Sequence, residues 1–445
     1  MSFPRALTFL LPGPGRSRLG LTGWALSGLS LAALMLGCTE AEEPQPAEAP
    51  ALASGSEGQA ASSEPGEPEA APAPGVGRGL FVRRKGKDRF RYVAWESEEE
   101  TNRIFRTLRR YGGGEVHFTP GTYVIEQGLY LSQTPDLKIS GGPDVRFEFA
   151  PPPEVLPLTT QPVLAGDTEL HLDDASGMHV GWEYQLYAPD LDSTRILEFT
   201  VASVEGNLVR LKSPAVYMPR ITEIPAGSRV FEEINFIKVF SCPDLVLEGL
   251  HVDGLNRGTV RGHTLYGGIY ASGQNERQER PTVRGLTIRG CSFRGLKGRA
   301  LAAYGIGDVR VSGCSFHDIY AQAMEIDHFS SGTIVNNLVD GAEVGVMLND
   351  AFESVVEGNV FLRCGIGVRI LRLFPQEWIN RGNTVRDNRI GYCEHGVVFN
   401  DNLQDGKSGT NVTGNYVIDN HFVGIPPLER VVNWRGNTVS GSTHE

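Results

Sequence analysis

Cysteine is scarce: six in 445 residues, with no Cys-x-x-Cys pair and no His/Cys spacing suited to zinc. That excludes a disulfide-stapled miniprotein. A basic excess is also missing. Lys and Arg total 41 against 53 Asp and Glu, for a net charge of −12, so nothing points to nucleic acid. With hydrophobic residues at 40%, a polytopic membrane protein is excluded as well. What is plentiful is glycine, 54 residues or about 12% of the chain, against roughly 7% in average proteins. The mixture admits a large β-rich body with many turns and a sizeable core.

The charge is unevenly spread. Residues 1–38 carry three Arg and no acid, and residues 39–77 carry eight Glu and no base, which leaves −7 on residues 78–445. Arg5, Arg16 and Arg18 precede an uncharged run, 19–37, ending Leu34-Met35-Leu36-Gly37-Cys38. A positive start, an apolar run and a small residue before the cut read as a secretory signal. Gly37-Cys38 resembles the lipobox of bacterial lipoproteins, although Met35 and Leu36 depart from its usual residues. The resemblance implies acylation at Cys38, a membrane anchor and, with Thr39 next, the outer membrane of a bacterial envelope. The alternative is an uncleaved anchor, since about 19 uncharged residues can span a bilayer. Residues 39–79 are mainly Glu, Pro, Ala, Ser and Gly. Such a segment buries too little apolar surface to offset its ordering entropy, so it is expected to be an extended linker.

The folded body is expected to begin near Leu80, with an N-terminal cap and first coils over 80–156. Ile104, Phe105, Leu108 and Tyr111 fall on one face of a helix over 98–111, stopped by Gly112-Gly113-Gly114. Val116/Phe118 and Tyr123/Ile125 then alternate around Pro120-Gly121. Residues 157–235 have short alternating runs between Gly-containing turns and lack the later repeat, as expected of an inserted antiparallel β module.

From residue 244 the chain repeats. A turn column reads Gly249, Gly290, Gly313, Asn336, Gly358, Asp387, Gly414 and Gly436, with spacings of 41, 23, 23, 22, 29, 27 and 22. Two positions earlier stand Leu247, Ile288, Val311, Ile334, Val356, Val385, Val412 and Trp434. Three positions later stand Val252, Phe293, Phe316, Val339, Phe361, Ile390, Val417 and Val439. Every member of both columns is apolar, so the period marks stacked coils over 236–440. Directly after the turn come Leu250, Cys291, Cys314, Asn337, Asn359, Asn388, Asn415 and Asn437, read as an amide ladder across the last five coils. Cys291/Cys314 and Cys364/Cys393 share columns and are expected as free, buried thiols. The fold class is therefore all-β, a parallel β-helix. The helix followed by the GGG-to-PGTY stretch resembles the entry of pectate-lyase-like proteins, which implies a right-handed coil with a capping helix.

A second strand carries Gly268, Ala300, Ala323, Gly345, Gly367, Gly396 and Gly424 in one small-residue column. Alternation then defines an outward face. Two positions on lie Tyr270, Ala302, Glu325, Met347, Arg369, Val398 and Pro426. Four positions on lie Ser272, Tyr304, Asp327, Asn349, Leu371, Asn400 and Leu428, and the turn beyond holds His328, Asp350, Arg372 and Asp401. This clustering suits uronic-acid chemistry, which needs a base and a cation to neutralise the sugar carboxylate. Asp327, His328, Asp350, Arg369 and Arg372 are the candidate catalytic residues. Tyr270, Tyr304, Glu325, Asn349, Asn400 and Asp401 are candidates for binding substrate, the tyrosines by stacking on sugar rings. Glu325, Asp327 and Asp350 are the candidate Ca²⁺ ligands, and paired carboxylates also suit glycosidic hydrolysis. The coil from Gly345 to Asn359 and the pair Asp327-His328 resemble mannuronan C5-epimerases, implying an acidic polysaccharide as partner. The catalytic Asp of that family falls on Asn349 here, its Tyr falls near Met324, and the Pro of its Asp-Pro-His element is absent. A polar outward face exists simply because it meets water, and Asx residues also form turns. Two alternatives therefore stand beside a polysaccharide lyase, epimerase or hydrolase: a non-catalytic glycan- or partner-binding lipoprotein, and a periplasmic copper-enzyme accessory protein.

Overall fold

The computed structural model describes residues 77–440, except 152–155, 181–182, 188–195, 216–222, 232–233, 258, 261–262, 265, 274–280, 282, 373–379, 402–415, 419, 424–433 and 436. The leader, Cys38 and most of the linker lie outside the described residues, as do Val412, Gly414, Asn415, Gly424, Pro426, Leu428 and Gly436.

Helix α1 (Glu98–Arg110) opens the coil stack. Ser97 is extended and its hydroxyl accepts from the Glu100 N–H, three Glu occupy the first turn, and Arg109 and Arg110 close the last. Cap and charges both complement the helix dipole. Phe105 and Leu108 are buried, but Tyr111 is half exposed, takes the Arg84 guanidinium over its ring and ends the helix instead of extending its apolar face. α1 covers the open edge of the first coil. The Glu98 carboxylate accepts from the N–H groups of Glu126, Gln127 and Gly128 (3.1, 3.0 and 2.8 Å), and Asn102 Oδ1 accepts from Tyr130 N. These side chains replace the strand that an edge would otherwise lack.

The protein is a right-handed parallel β-helix. Its first long sheet begins with an antiparallel hairpin, Gly79–Arg84 and Arg91–Ala94, and continues as ten parallel strands from Gly114–Phe118 to Trp434–Arg435. Each coil places its apolar side chains on those of the coil below. One inward ladder runs Tyr123, Phe147, Val252, Phe293, Phe316, Val339, Phe361 and Ile390 in direct register, and the backbone register continues through Phe422 and Val439. Phe293 and Phe316 stack with centroids 5.3 Å apart, and burying each such side chain contributes about 2 kcal/mol.

The turn column is real: Gly249, Gly290, Gly313, Asn336, Gly358 and Asp387 all have φ between 55° and 64°. In that left-handed region Gly is unstrained and Asn and Asp are the tolerated substitutes. One coil needs correction. Val385 pairs with Val417, and Asn388 hydrogen-bonds Asn420, not Asn415. The amide ladder is thus Asn337, Asn359, Asn388, Asn420 and Asn437. The Oδ1 atoms of Asn359, Asn388, Asn420 and Asn437 each accept from both the backbone and the side-chain amide of the Asn one coil before, at 2.9–3.1 Å, and Asn337 Oδ1 accepts from Cys314 N. The buried cysteines Cys242, Cys291, Cys314, Cys364 and Cys393 are free thiols.

Leu156–Glu232 belong to a separate compact unit. It holds a five-stranded and a two-stranded antiparallel sheet around a core that includes Leu186, Leu197, Val201, Val209 and Ile224. It interrupts the second coil, between Val145–Phe149 and Ile234–Phe240.

Candidate active site

The candidate residues stand on parallel strands of the second sheet: Ile234–Phe240, Tyr266–Ser272, Leu301–Tyr304, Ser315–Asp327, Leu338–Asn349, Ile366–Arg372 and His395–Asp401. The small-residue column lies where successive coils approach closely. A Cβ on Gly268 would lie 2.2 Å from the Ala300 carbonyl oxygen, and one on Gly345 would lie 2.5 Å from that of Gly367. The outward columns match the sequence alignment residue for residue. Tyr270, Ala302, Glu325, Met347, Arg369 and Val398 are in register, and so are Ser272, Tyr304, Asp327, Asn349, Leu371 and Asn400. Arg372 pairs with Asp401; of the Asn400 and Asp401 side chains nothing is described.

The outward face does not meet water at its centre. Glu325, Asp327, Asn349 and Asp350 are only 1, 2, 3 and 0% exposed. Solvation therefore does not account for their polarity. Glu325 is held by Arg299, whose Nε lies 2.7 Å from Oε2, and it accepts from the Tyr304 hydroxyl at 3.2 Å. Arg299 also donates to the Tyr304 oxygen (2.9 Å) and to Gln322 Oε1 (3.1 Å). Asp327 Oδ1 accepts from the backbone N–H of His328 and lies 3.0 Å from His328 Nδ1. The Tyr304 and His328 rings meet edge-on at 5.2 Å.

His328, Phe329 and Asp350 all adopt φ of 50–64°, which no glycine relieves and which costs non-glycine residues about 1–2 kcal/mol each. A second polar ladder holds this turn in place. Ser330 Oγ accepts from Ile306 N and donates to the Asp327 carbonyl, Ser354 Oγ accepts from Gly332 N, and Asn383 Oδ1 accepts from Ser354 N. All three side chains are buried.

The protonation states are set by burial and neighbours. Burial, with Asp327 adding to it, pushes Glu325 up to about 7 against the pull of Arg299, Tyr304 and His328. For His328, burial opposes the charged ring, but Asp327, Asp350 and Glu325 outweigh it and raise the imidazole to about 9. Burial also drives the Tyr304 phenol well above its ordinary value. Burial lowers Arg369, with Glu343 and Glu325 opposing. Buried Asn349 Oδ1 has no hydrogen-bond partner among the described residues.

Glu325, Asp327, His328, Tyr304 and Asp350 therefore come together in one buried network. Arg369 stands two coils on and half-buried, near enough to feel Glu343 and Glu325, and Arg372 is half-buried at its strand's end. Arg299, Gln322 and Glu343 complete the network and escaped the sequence reading. Arg299 and Gln322 each stand one residue before the small-residue column, at Ala300 and Ala323, and that position is the signal that would have found them. Glu325 and Asp327, two of the three expected Ca²⁺ ligands, already face a cationic side chain. Among the described residues no three His, Cys, Asp or Glu are grouped to hold a metal ion. A cavity of about 330 Å³ lies elsewhere, against the N-terminal hairpin. Three of its cations, Arg83, Lys85 and Lys138, are paired with Glu115, Asp136 and Glu248.

A family model described as the right handed beta helix region matches residues 248–443. No curated protein matches the sequence. Among solved structures the chain is similar to a hyperthermoactive exopolygalacturonase from Thermotoga maritima, at 13% identity and a TM-score of 0.39 over 78% of this chain and 83% of that one. It is also similar to the A-module of a mannuronan C-5 epimerase from Azotobacter vinelandii, at 12% identity and a TM-score of 0.32 over 78% and 84% of the two chains. A surface protein and adhesin from Streptococcus pneumoniae aligns at 11% identity and a TM-score of 0.32 over 78% and 95%.

Proposed function

We propose that the protein binds and chemically modifies an acidic polysaccharide, by proton transfer next to a uronate carboxylate. One observation carries the reading: Glu325 is buried at the centre of an outward sheet face, bonded to Tyr304 and Arg299, and titrates near 7. A carboxyl group poised there serves as acid or base at neutral pH. Tyr304, neutral at that pH, is the partner that supplies a proton. His328, charged below about pH 9, and Arg369 neutralise the sugar carboxylate. Asp327 orients the His328 ring, Asp350 helps hold it charged, and Arg372 stands one coil beyond Asp350. Lyases and epimerases share this proton abstraction, and the reading covers both.

The test is incubation of wild-type protein and Glu325→Gln with alginate, polygalacturonate and acidic exopolysaccharides, with and without Ca²⁺. Unsaturated uronate, new reducing ends or a changed epimer ratio, lost in Glu325→Gln, supports the reading. Absence of all three from the wild type on every polymer sinks it. The 1–2% exposure of Glu325 and Asp327 favours a second reading, a glycan-binding protein in which the network only braces the face. Retention in glycan affinity electrophoresis without turnover would establish it. Acylation at Cys38 and an outer-membrane location belong to the same proposal. Cys38→Ala is expected to release the protein from membranes, and sedimentation of the full-length variant with membranes would favour the uncleaved anchor.

A further inference from the structure

The buried network is the end of a longer feature. Towards the amino-terminal coils the same two outward columns carry aromatic rings in a zigzag. Tyr130 lies 5.4 Å from Phe240, Phe240 5.9 Å from Tyr270, and Tyr270 5.3 Å from Tyr304, centroid to centroid. Tyr304 then meets His328 at 5.2 Å. The register explains the spacing. Tyr130, Lys238 and Tyr270 are one column, and Phe240, Ser272 and Tyr304 the next. Exposure falls along the row, from 48% at Tyr130, through half-buried Phe240 and Tyr270, to 8% at Tyr304. Inward-facing positions of these strands, such as Leu129, Leu131, Ile237, Val239 and Ile269, already fill the core, so it does not need the outward rings. Lys238 stands among them, half-buried, on the column that ends in Glu325 and Arg369.

We propose that Tyr130, Lys238, Phe240 and Tyr270 form a binding track for an acidic polysaccharide chain, which lies along the long axis of the coil stack and enters the Glu325 network from the amino-terminal side. This rests on the function proposed above and adds where and in which direction the polymer is held. Coils rise by about 4.8 Å, about the length of one pyranose ring. Successive rings, 5.3–5.9 Å apart and tilted 34–50° to one another, recur once per coil, a repeat close to that of a linear glycan, and aromatic side chains bury the C–H face of a sugar. Lys238 midway along the row and Arg369 beyond the network supply the charge that selects a polyanion over a neutral glycan.

The experiment measures affinity for acidic oligosaccharides of increasing length, by calorimetry, with the full chain and with Tyr130→Ala, Phe240→Ala and Lys238→Gln. The wild type is expected to bind more tightly with each added unit until the track is filled. Tyr130→Ala, at an exposed position and so safe for folding, is expected to remove the gain of the longest oligomers, by about threefold to tenfold. Lys238→Gln is expected to weaken acidic oligomers and leave neutral ones of equal length unchanged. If the wild type binds but Tyr130→Ala and Lys238→Gln follow the wild-type length dependence, the track is wrong and the function stands. If the wild type binds no acidic oligomer, both fall.

Discussion

The coil stack buries polar side chains in two places, and the two are built on opposite rules. In the amide ladder, five Asn repeat one residue type, each donates to the carbonyl oxygen of the next, and no net charge is present. Across the outward face the same stacking places Tyr304 on Asp327 on Asn349, and Ala302 on Glu325 on Met347. Here no residue repeats, two acids and an imidazole share a buried volume, and one amide oxygen has no partner among the described residues. A ladder that repeats its residue from coil to coil is architecture; a column that changes residue at every coil holds charge under strain.

Substitutions should separate the two. Asn359→Ala strands the Asn337 amides and should cost about 3–5 kcal/mol, seen as a large fall in the melting temperature or urea midpoint. Glu325→Gln should lower turnover by 10²-fold or more. At pH 5, where Glu325 already carries its proton, the same change should move the melting temperature little. A comparable melting loss in both variants at that pH would erase the distinction.

The pH profile is the next test. His328 and Glu325 both titrate above their ordinary 6.5 and 4.5, so the folded chain holds these protons more tightly than the unfolded chain. Their stabilisation is complete at low pH. The share from Glu325 fades as pH rises from about 4.5 through 7, and that from His328 between about 6.5 and 9. The His328 share is on the order of 3 kcal/mol. Denaturant midpoints followed from pH 6 to 10 should decline in the wild type and flatten in His328→Gln. The smallest effect concerns the amide ladder's own turn. Gly358 has φ 64°, and a Cβ there would lie 2.7 Å from Asn336 Oδ1, so Gly358→Ala should cost about 1–2 kcal/mol in the same melts.

Stacking made much of this legible in advance. Because like positions lie on like, a column written down from sequence, such as Tyr270, Ala302, Glu325, Met347 and Arg369, is also a list of neighbours in space. The misplaced coil has a physical cause. In sequence Gly414-Asn415 mimics the earlier Gly-Asn turns, yet Asn388 bonds Asn420, and the letters Asp419-Asn420 repeat Asp387-Asn388. The two first coils went unread as ladder members because residues 156–232 separate them from the rest. The burial of Glu325 was not legible. Alternation tells which face a residue takes, but not what else lies on that face, and Arg299 reaches it from a turn outside the alternating pattern.

The interruption of the second coil has a consequence for the order of folding. From Val283 to Arg372 each coil closes over some two dozen residues, whereas strand Leu129–Ser132 pairs with Ile234–Phe240, more than a hundred residues away. Loop closure over the longer distance costs an additional 1–2 kcal/mol or so before any contact repays it. Nucleation therefore favours the middle coils, with growth towards the amino terminus. Pulse-labelled hydrogen exchange should find amides of Val309–Val311 protected before those of Leu129–Leu131. The first aromatic ring of the outward row, Tyr130, would then be the last to find its place.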